Sequence, residues 1–237
     1  MSAVRSVILI LCLAAGAEAQ TRTLAVNAGV PPGLDAASTL NIQNELQKLL
    51  RPAAIDVTWR GTDASSAGRD FELLVVGSFS GSCAVSALPS ISSHNIVSRS
   101  LGDSIVIRNR VLPYFQVDCD LLVKTLSPML GPLNVPMRRQ VLERAMARVI
   151  AHEIYHIVAH TTEHDKTGVA KATFSLEDLV TRNIEFNGTS LDRMRPESAG
   201  RPSDAALRPE PPLRPVRASA AAASGSRSVS ASMLLPR

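Results

Sequence analysis

Apolar and polar positions along the upstream half of the chain follow two periods, and each period predicts its own kind of element. Ile55, Val57 and Trp59 alternate with polar residues, which predicts a strand with one face on a core. Thr23 to Val26 and Ser104 to Arg108 predict further strands, and the unbroken apolar run from Phe71 to Val76 predicts one buried on both faces. A helical period replaces alternation from Ser38 to Leu50, where Leu46, Leu49 and Leu50 form a stripe capped by Asp35 or Ser38 and stopped before Pro52. Asp118 to Leu126 predicts a second helix.

The longest periodic segment joins Val141, Leu142, Ala145, Met146, Val149 and Ile150 to Ile154, Ile157 and Val158. It predicts one long amphipathic helix, with Asn134 as cap and Pro136 in the first turn, where a missing N–H costs nothing. Arg138, Arg139, Glu143, Arg144 and Arg148 fall outside the stripe and are assigned to solvent. Ser175 and Asp178 form a capping box that opens a short following helix. Strands and helices in this order predict an α+β fold, and residues 20–190 provide enough chain for one domain with a core.

The two ends differ from this middle. Arg5 precedes an apolar run from Val7 to Leu13, and Ala17-Glu18-Ala19 offers a small-x-small cleavage site, so residues 1–19 read as a secretory signal peptide. The run is too short for a stable membrane span. Its removal leaves Cys83 and Cys119, an even count that predicts one disulfide in a secreted, periplasmic or extracellular protein. Residues 191–237 are dominated by Pro, Ala, Ser and Arg without a period, and read as a disordered tail. From Arg195 onward seven arginines face only Glu197, Asp204 and Glu210, so this tail accounts for the formal charge of +4 of the whole chain. The remainder is close to neutral and gives no nucleic-acid signal. Asn187-Gly188-Thr189 is a glycosylation sequon.

The chemistry concentrates in His152-Glu153-Ile154-Tyr155-His156. In a chain with five His among 237 residues, this pattern arises by chance with a probability of roughly half a per cent. Four of the five, His152, His156, His160 and His164, also fall on a four-residue ladder. On a helix, His at i and i+4 share a face and reach one metal, with Glu153 beside them as candidate general base. A catalytic Zn2+ takes three protein ligands and keeps a fourth position open. For the third ligand, His160 lies about 6 Å further along the helix and too far from the pair. His164 reaches the metal if the helix stops near residue 160 and the chain folds back, whereas Glu177 or Asp178 would act from the next helix; His164 is favoured. Glu163 and Asp165 flank it as candidates to orient its ring, and Tyr155 lies off the His face.

The stretch from Ala151 to Leu179 resembles the zincin metalloproteases, and within them the metzincin-like branch. A closer likeness is to small secreted bacterial zincin-like proteins whose motif runs His-Glu-x-x-His, three residues, Gly, three residues, His, then Gly-Ile-Met. On that pattern the third His falls on His164, the turn glycine on His160 and Gly-Ile-Met on Gly168-Val169-Ala170. His160 would then adopt positive φ, and Ala170 replaces the methionine beneath the metal. The resemblance implies a zincin-like domain with a small mixed sheet and a long active-site helix. It implies a secreted zinc endopeptidase in which His152, His156 and His164 hold Zn2+ and Glu153 is the general base. It also implies an edge strand beside that helix that pairs with a peptide or protein substrate, with Ser104 to Arg108 as candidate; an ordinary interior strand is the equal alternative for that segment. The alternative expectation is a zincin-like module that binds zinc without catalysis.

Overall fold

The structure, a computed structural model, describes residues 21–61, 70–88, 100–195 and 231–234. Residues 1–19 and most of the C-terminal tail, on which the signal-peptide and disorder expectations fall, lie outside the described residues. Strand β1 (Arg22–Asn27) is followed by helix α1 (Ala36–Leu50), whose cap is Asp35, accepting from the Ser38 amide at 2.8 Å. A single 3-10 turn at Arg51–Ala53 absorbs Pro52 and leads to β2 (Ile55–Arg60). Strands β3 (Leu73–Ser80), β4 (Ser100–Ile107) and β5 (Arg110–Asp118) precede helices α2 (Cys119–Leu130) and α3 (Val135–Val158). Two short helices, α4 (Leu176–Val180) and α5 (Gly188–Met194), and a last strand, β6 (Ala231–Leu234), complete the α+β fold.

The sheet is mixed, in the order β2-β1-β3-β5-β4-β6. β1 runs parallel to β2 and β3, and β3 parallel to β5. β4 runs antiparallel to both β5 and β6. The sequence reading gave no strand over Arg110–Asp118. That strand arises from the tight β4–β5 hairpin, in which Arg108 and Asn109 both take positive φ (50° and 63°). Two such residues make the turn whose twist matches that of paired strands.

Helices α1 and α3 lie side by side, and α3 also packs on β4 and β5. Leu24, Val26, Val75, Leu101, Phe115 and Val117 meet Ile42, Leu46, Val149, Ile150 and Ile154 in one core. The opposite face leaves Leu74, Ile105, Ile107 and Tyr114 exposed. This corrects the expectation that the run from Phe71 to Val76 is buried on both faces: Val75 is enclosed, but Leu74 is 53% exposed. An apolar run records hydrophobicity and cannot say whether a second layer exists to cover it.

The flank of α3 also departs from expectation. Glu143 and Arg148, assigned to solvent, are buried. Asn41 of α1 donates to Glu143 at 3.1 Å, and Arg148 reaches the Asp178 and Thr181 carbonyls around α4. Burial lowers the pKa of the Arg148 guanidinium to about 10. A stripe identifies the face on the largest core, whereas α3 is enclosed from three directions.

Cys83 and Cys119 form a disulfide that fastens the segment after β3 to the start of α2. Closing a loop of 36 residues contributes on the order of 3 to 4 kcal/mol by chain-entropy arithmetic. Beyond residue 190 the chain stays anchored: Met194 is buried, its carbonyl accepts from Arg22, and Arg195 donates to the Pro52 carbonyl at 3.1 Å. No helix among the described residues is long and apolar enough to cross a membrane.

Candidate metal centre

Asn134 caps α3 by accepting from the Met137 amide at 3.0 Å, and the helix runs unbroken through the His pair to Val158. It then ends in a Schellman turn. The Thr161 amide donates to the His156 carbonyl at 3.1 Å and the His160 amide to the Ile157 carbonyl at 3.4 Å. His160 occupies the left-handed position with φ 49°, as the resemblance implied, and stays exposed. Glycine usually fills such a position because a Cβ there crowds the backbone.

The turn reverses the chain and brings His164 back over the helix. Its ring centroid lies 5.2 Å from that of His152 and 4.7 Å from that of His156. One nitrogen from each of the three rings lies within 4.8 Å of the others. The loop is held by the Asp165 amide on the Ala170 carbonyl (2.9 Å) and the Val169 amide on the Glu185 carbonyl (3.1 Å). Gly168 permits this closure: its φ is 77°, and a Cβ there would stand 2.4 Å from the Glu185 oxygen.

Backbone carbonyls decide the protonation of the pair. His152 Nδ1 lies 2.8 Å from the Val169 carbonyl oxygen, and His156 Nδ1 lies 2.8 Å from that of Thr161. A carbonyl can only accept, so both Nδ1 atoms carry the proton and both Nε2 atoms present lone pairs. Those two Nε2 atoms face each other at 3.0 Å. Burial lowers the pKa of His152 to about 3 and that of His156 to about 4, and lowers that of His164 as well, so extra protons do not relieve the opposition at neutral pH. A cation between the rings would. The His164 Nε2 atom is buried with no hydrogen-bond partner among the described residues. The donor set therefore fits a divalent metal that accepts imidazole.

Glu153 is fully buried beside the pair. Ser104 of β4 donates to its Oε2 at 2.6 Å, while Oε1 has no hydrogen-bond partner among the described residues. Burial raises its pKa well above the usual carboxylate range, opposed by the Ser104 hydrogen bond and reinforced by Asp103. A cation held by the rings would oppose that rise. Close approach of β4 depends on Gly102, where a Cβ would meet Val149 at 2.7 Å and Glu153 Oε1 at 2.9 Å.

The competing third ligands are placed elsewhere. Glu177 is exposed on α4, and Asp178 closes the predicted capping box with Ser175 and pairs with Lys171. Glu163 and Asp165, considered as partners of the His164 ring, bind Arg193 and Ser190 instead. Tyr155 points to α5, where its hydroxyl accepts from Arg193 at 2.9 Å. Ala170 is buried, and the aromatic ring packed edge-on against His152, at 5.8 Å between centroids, is Phe174.

Sequence reasoning missed Ser104, Phe174 and the two carbonyls. Ser104 left a trace: it occupies an inward position of β4 between Leu101 and Val106, where a hydroxyl needs a partner. Carbonyls leave no trace, since every residue has one. Compared with models of known protein families and with curated proteins, the chain matches none.

Proposed function

We propose that this chain is a secreted zinc-dependent endopeptidase. The observation that supports it most is the convergence of three neutral imidazoles, two with lone pairs opposed at 3.0 Å, beside the buried carboxylate of Glu153. His152, His156 and His164 hold the metal, and the Val169 and Thr161 carbonyls fix the first two rings in the ligating tautomer. Bound there, zinc would supply Lewis acidity and lower the pKa of a water towards neutrality.

Glu153 takes the proton of the attacking water and returns it to the leaving amine. The Ser104 hydroxyl aims the carboxylate by engaging Oε2, which leaves Oε1 free for that proton. Beside the site, the row of β4 that β6 lines over Ser100–Ser104 carries backbone groups that would recognise an extended peptide with little regard for its sequence. The pattern of residues 1–19 and the Cys83–Cys119 disulfide support secretion.

Purified protein is expected to hold about one zinc and to cleave an unfolded casein-like substrate. Glu153→Gln should retain the metal and lose about 10²- to 10⁴-fold in kcat. Zinc bound without cleavage by either form would replace this reading with a zinc-binding module lacking catalysis.

A further inference from the structure

Within the described residues β4 has two neighbours, and the outer one comes from the far end of the chain. β6 pairs antiparallel with it, Ala231 opposite Ser104, Ser232 opposite Asp103 and Leu234 opposite Ser100, with a register shift between Ser100 and Asp103. That stretch of β4 is also the part that meets the catalytic carboxylate, through Gly102 and Ser104. A strand has two rows of backbone N–H and C=O groups; β5 takes one row of β4 and β6 takes the other. Where β6 is seated, no row remains for a peptide.

The sequence agrees with this placement. Large apolar residues thin out after Arg195 and return at Met233-Leu234-Leu235. Residues 196–230 join this segment to the rest of the chain in sequence. Covalent linkage makes the pairing intramolecular, so even weak strand pairing competes with a dilute substrate.

We propose that Ala231–Leu234 is a built-in occupant of the substrate edge: it pairs with β4 in place of an extended peptide and holds the site closed until displaced. The proposal rests on the endopeptidase reading for its consequence, but the seating of the strand is measurable without activity. Chain-end cleavage, or a substrate dense enough to compete, would open the site.

The test uses the full-length zinc-loaded protein and its S232P/M233P variant. Proline has no N–H and cannot sit in a ladder, so whichever of the two amides faces β4 is lost. A S232A/M233A variant keeps both amides as control. Hydrogen exchange of the β4 amides over residues 100–104 should quicken about tenfold or more in the proline variant and stay slow in the control. A synthetic peptide of residues 228–237 should bind the proline variant about tenfold more tightly than the wild type. Cleavage of an unfolded substrate should rise by a similar factor, mainly through KM.

Unchanged β4 protection, or equal peptide binding by wild type and proline variant, overturns the proposal. So does protection lost with cleavage unchanged in an active enzyme, since the edge would then not be the substrate's. Absence of cleavage in every form, with exchange and peptide binding behaving as expected, overturns the regulatory consequence and the endopeptidase reading while the seated strand stands.

Discussion

Ser104 and Glu153 lie 49 positions apart in sequence, yet the hydroxyl of one donates to the carboxylate of the other at 2.6 Å inside a buried pocket. The contact joins the sheet to the helix that carries the His pair. In the proposed mechanism it orients the carboxylate and does not touch the substrate. Replacing Ser104 with Ala should therefore lower kcat about tenfold, the equivalent of one hydrogen bond to a charged group, with KM little changed. Ser104→Thr, which keeps the hydroxyl, should recover most of the loss. A change in KM alone would show that the serine contacts substrate instead.

His164→Ala should abolish stoichiometric zinc. Loss of a partner behind a ligand already costs about 10- to 100-fold in affinity, and loss of a ligand costs more. Glu177→Gln should leave metal content unchanged, because that side chain is exposed on α4. Asp178→Asn should also keep zinc while lowering stability by about 0.5 to 2 kcal/mol through the weakened cap. Metal analysis of the three variants, with urea unfolding of the last, checks the assignment.

His160→Gly should stabilise the protein by about 1 kcal/mol, since glycine tolerates the left-handed conformation that a Cβ penalises. The ring is exposed, so the substitution removes no buried contact. Zinc stoichiometry should not move. Loss of metal in this variant would make His160 a ligand, against its placement outside the cluster.

Acid and alkali should act differently on the metal-free protein. His152 and His156 have folded pKa values of about 3 and about 4 against 6.5 for the free side chain. The unfolded state binds their protons first, so stability falls as pH drops below 6.5 towards those values. Glu153 behaves oppositely: its pKa is raised above 4.5, so the folded state keeps a proton the unfolded state has released. Its contribution is full below pH 4.5 and is lost as pH rises through its folded value. Urea midpoints of chelator-treated wild type should therefore peak near neutrality and decline on both sides. In Glu153→Gln the alkaline decline should disappear and the acid decline should steepen. Identical profiles for the two would contradict the burial of this carboxylate.

Legibility varied with the range of the interaction that decides each feature. Helix α3, its Asn134 cap, the His pair and the capping box at Ser175 were readable because each depends on residues within one or two turns. Helix α5 escaped, although Asn187, noticed only as a sequon, is its cap. Arg148 was misread because the carbonyls it satisfies belong to residues 178 and 181, which no local pattern connects to it.

By itself the sequence determined the periodic elements, the two cysteines that pair and the identity of the residues able to ligate a metal, since periodicity and side-chain chemistry are local properties. Only the tertiary structure decided that His164 closes the site, that the Val169 and Thr161 carbonyls set the tautomers, that Ser104 reaches Glu153 and that β6 lies along β4. Those four depend on backbone groups and on chain reversals. A carbonyl has the same chemistry at every position, and only folding selects which one meets a given ring.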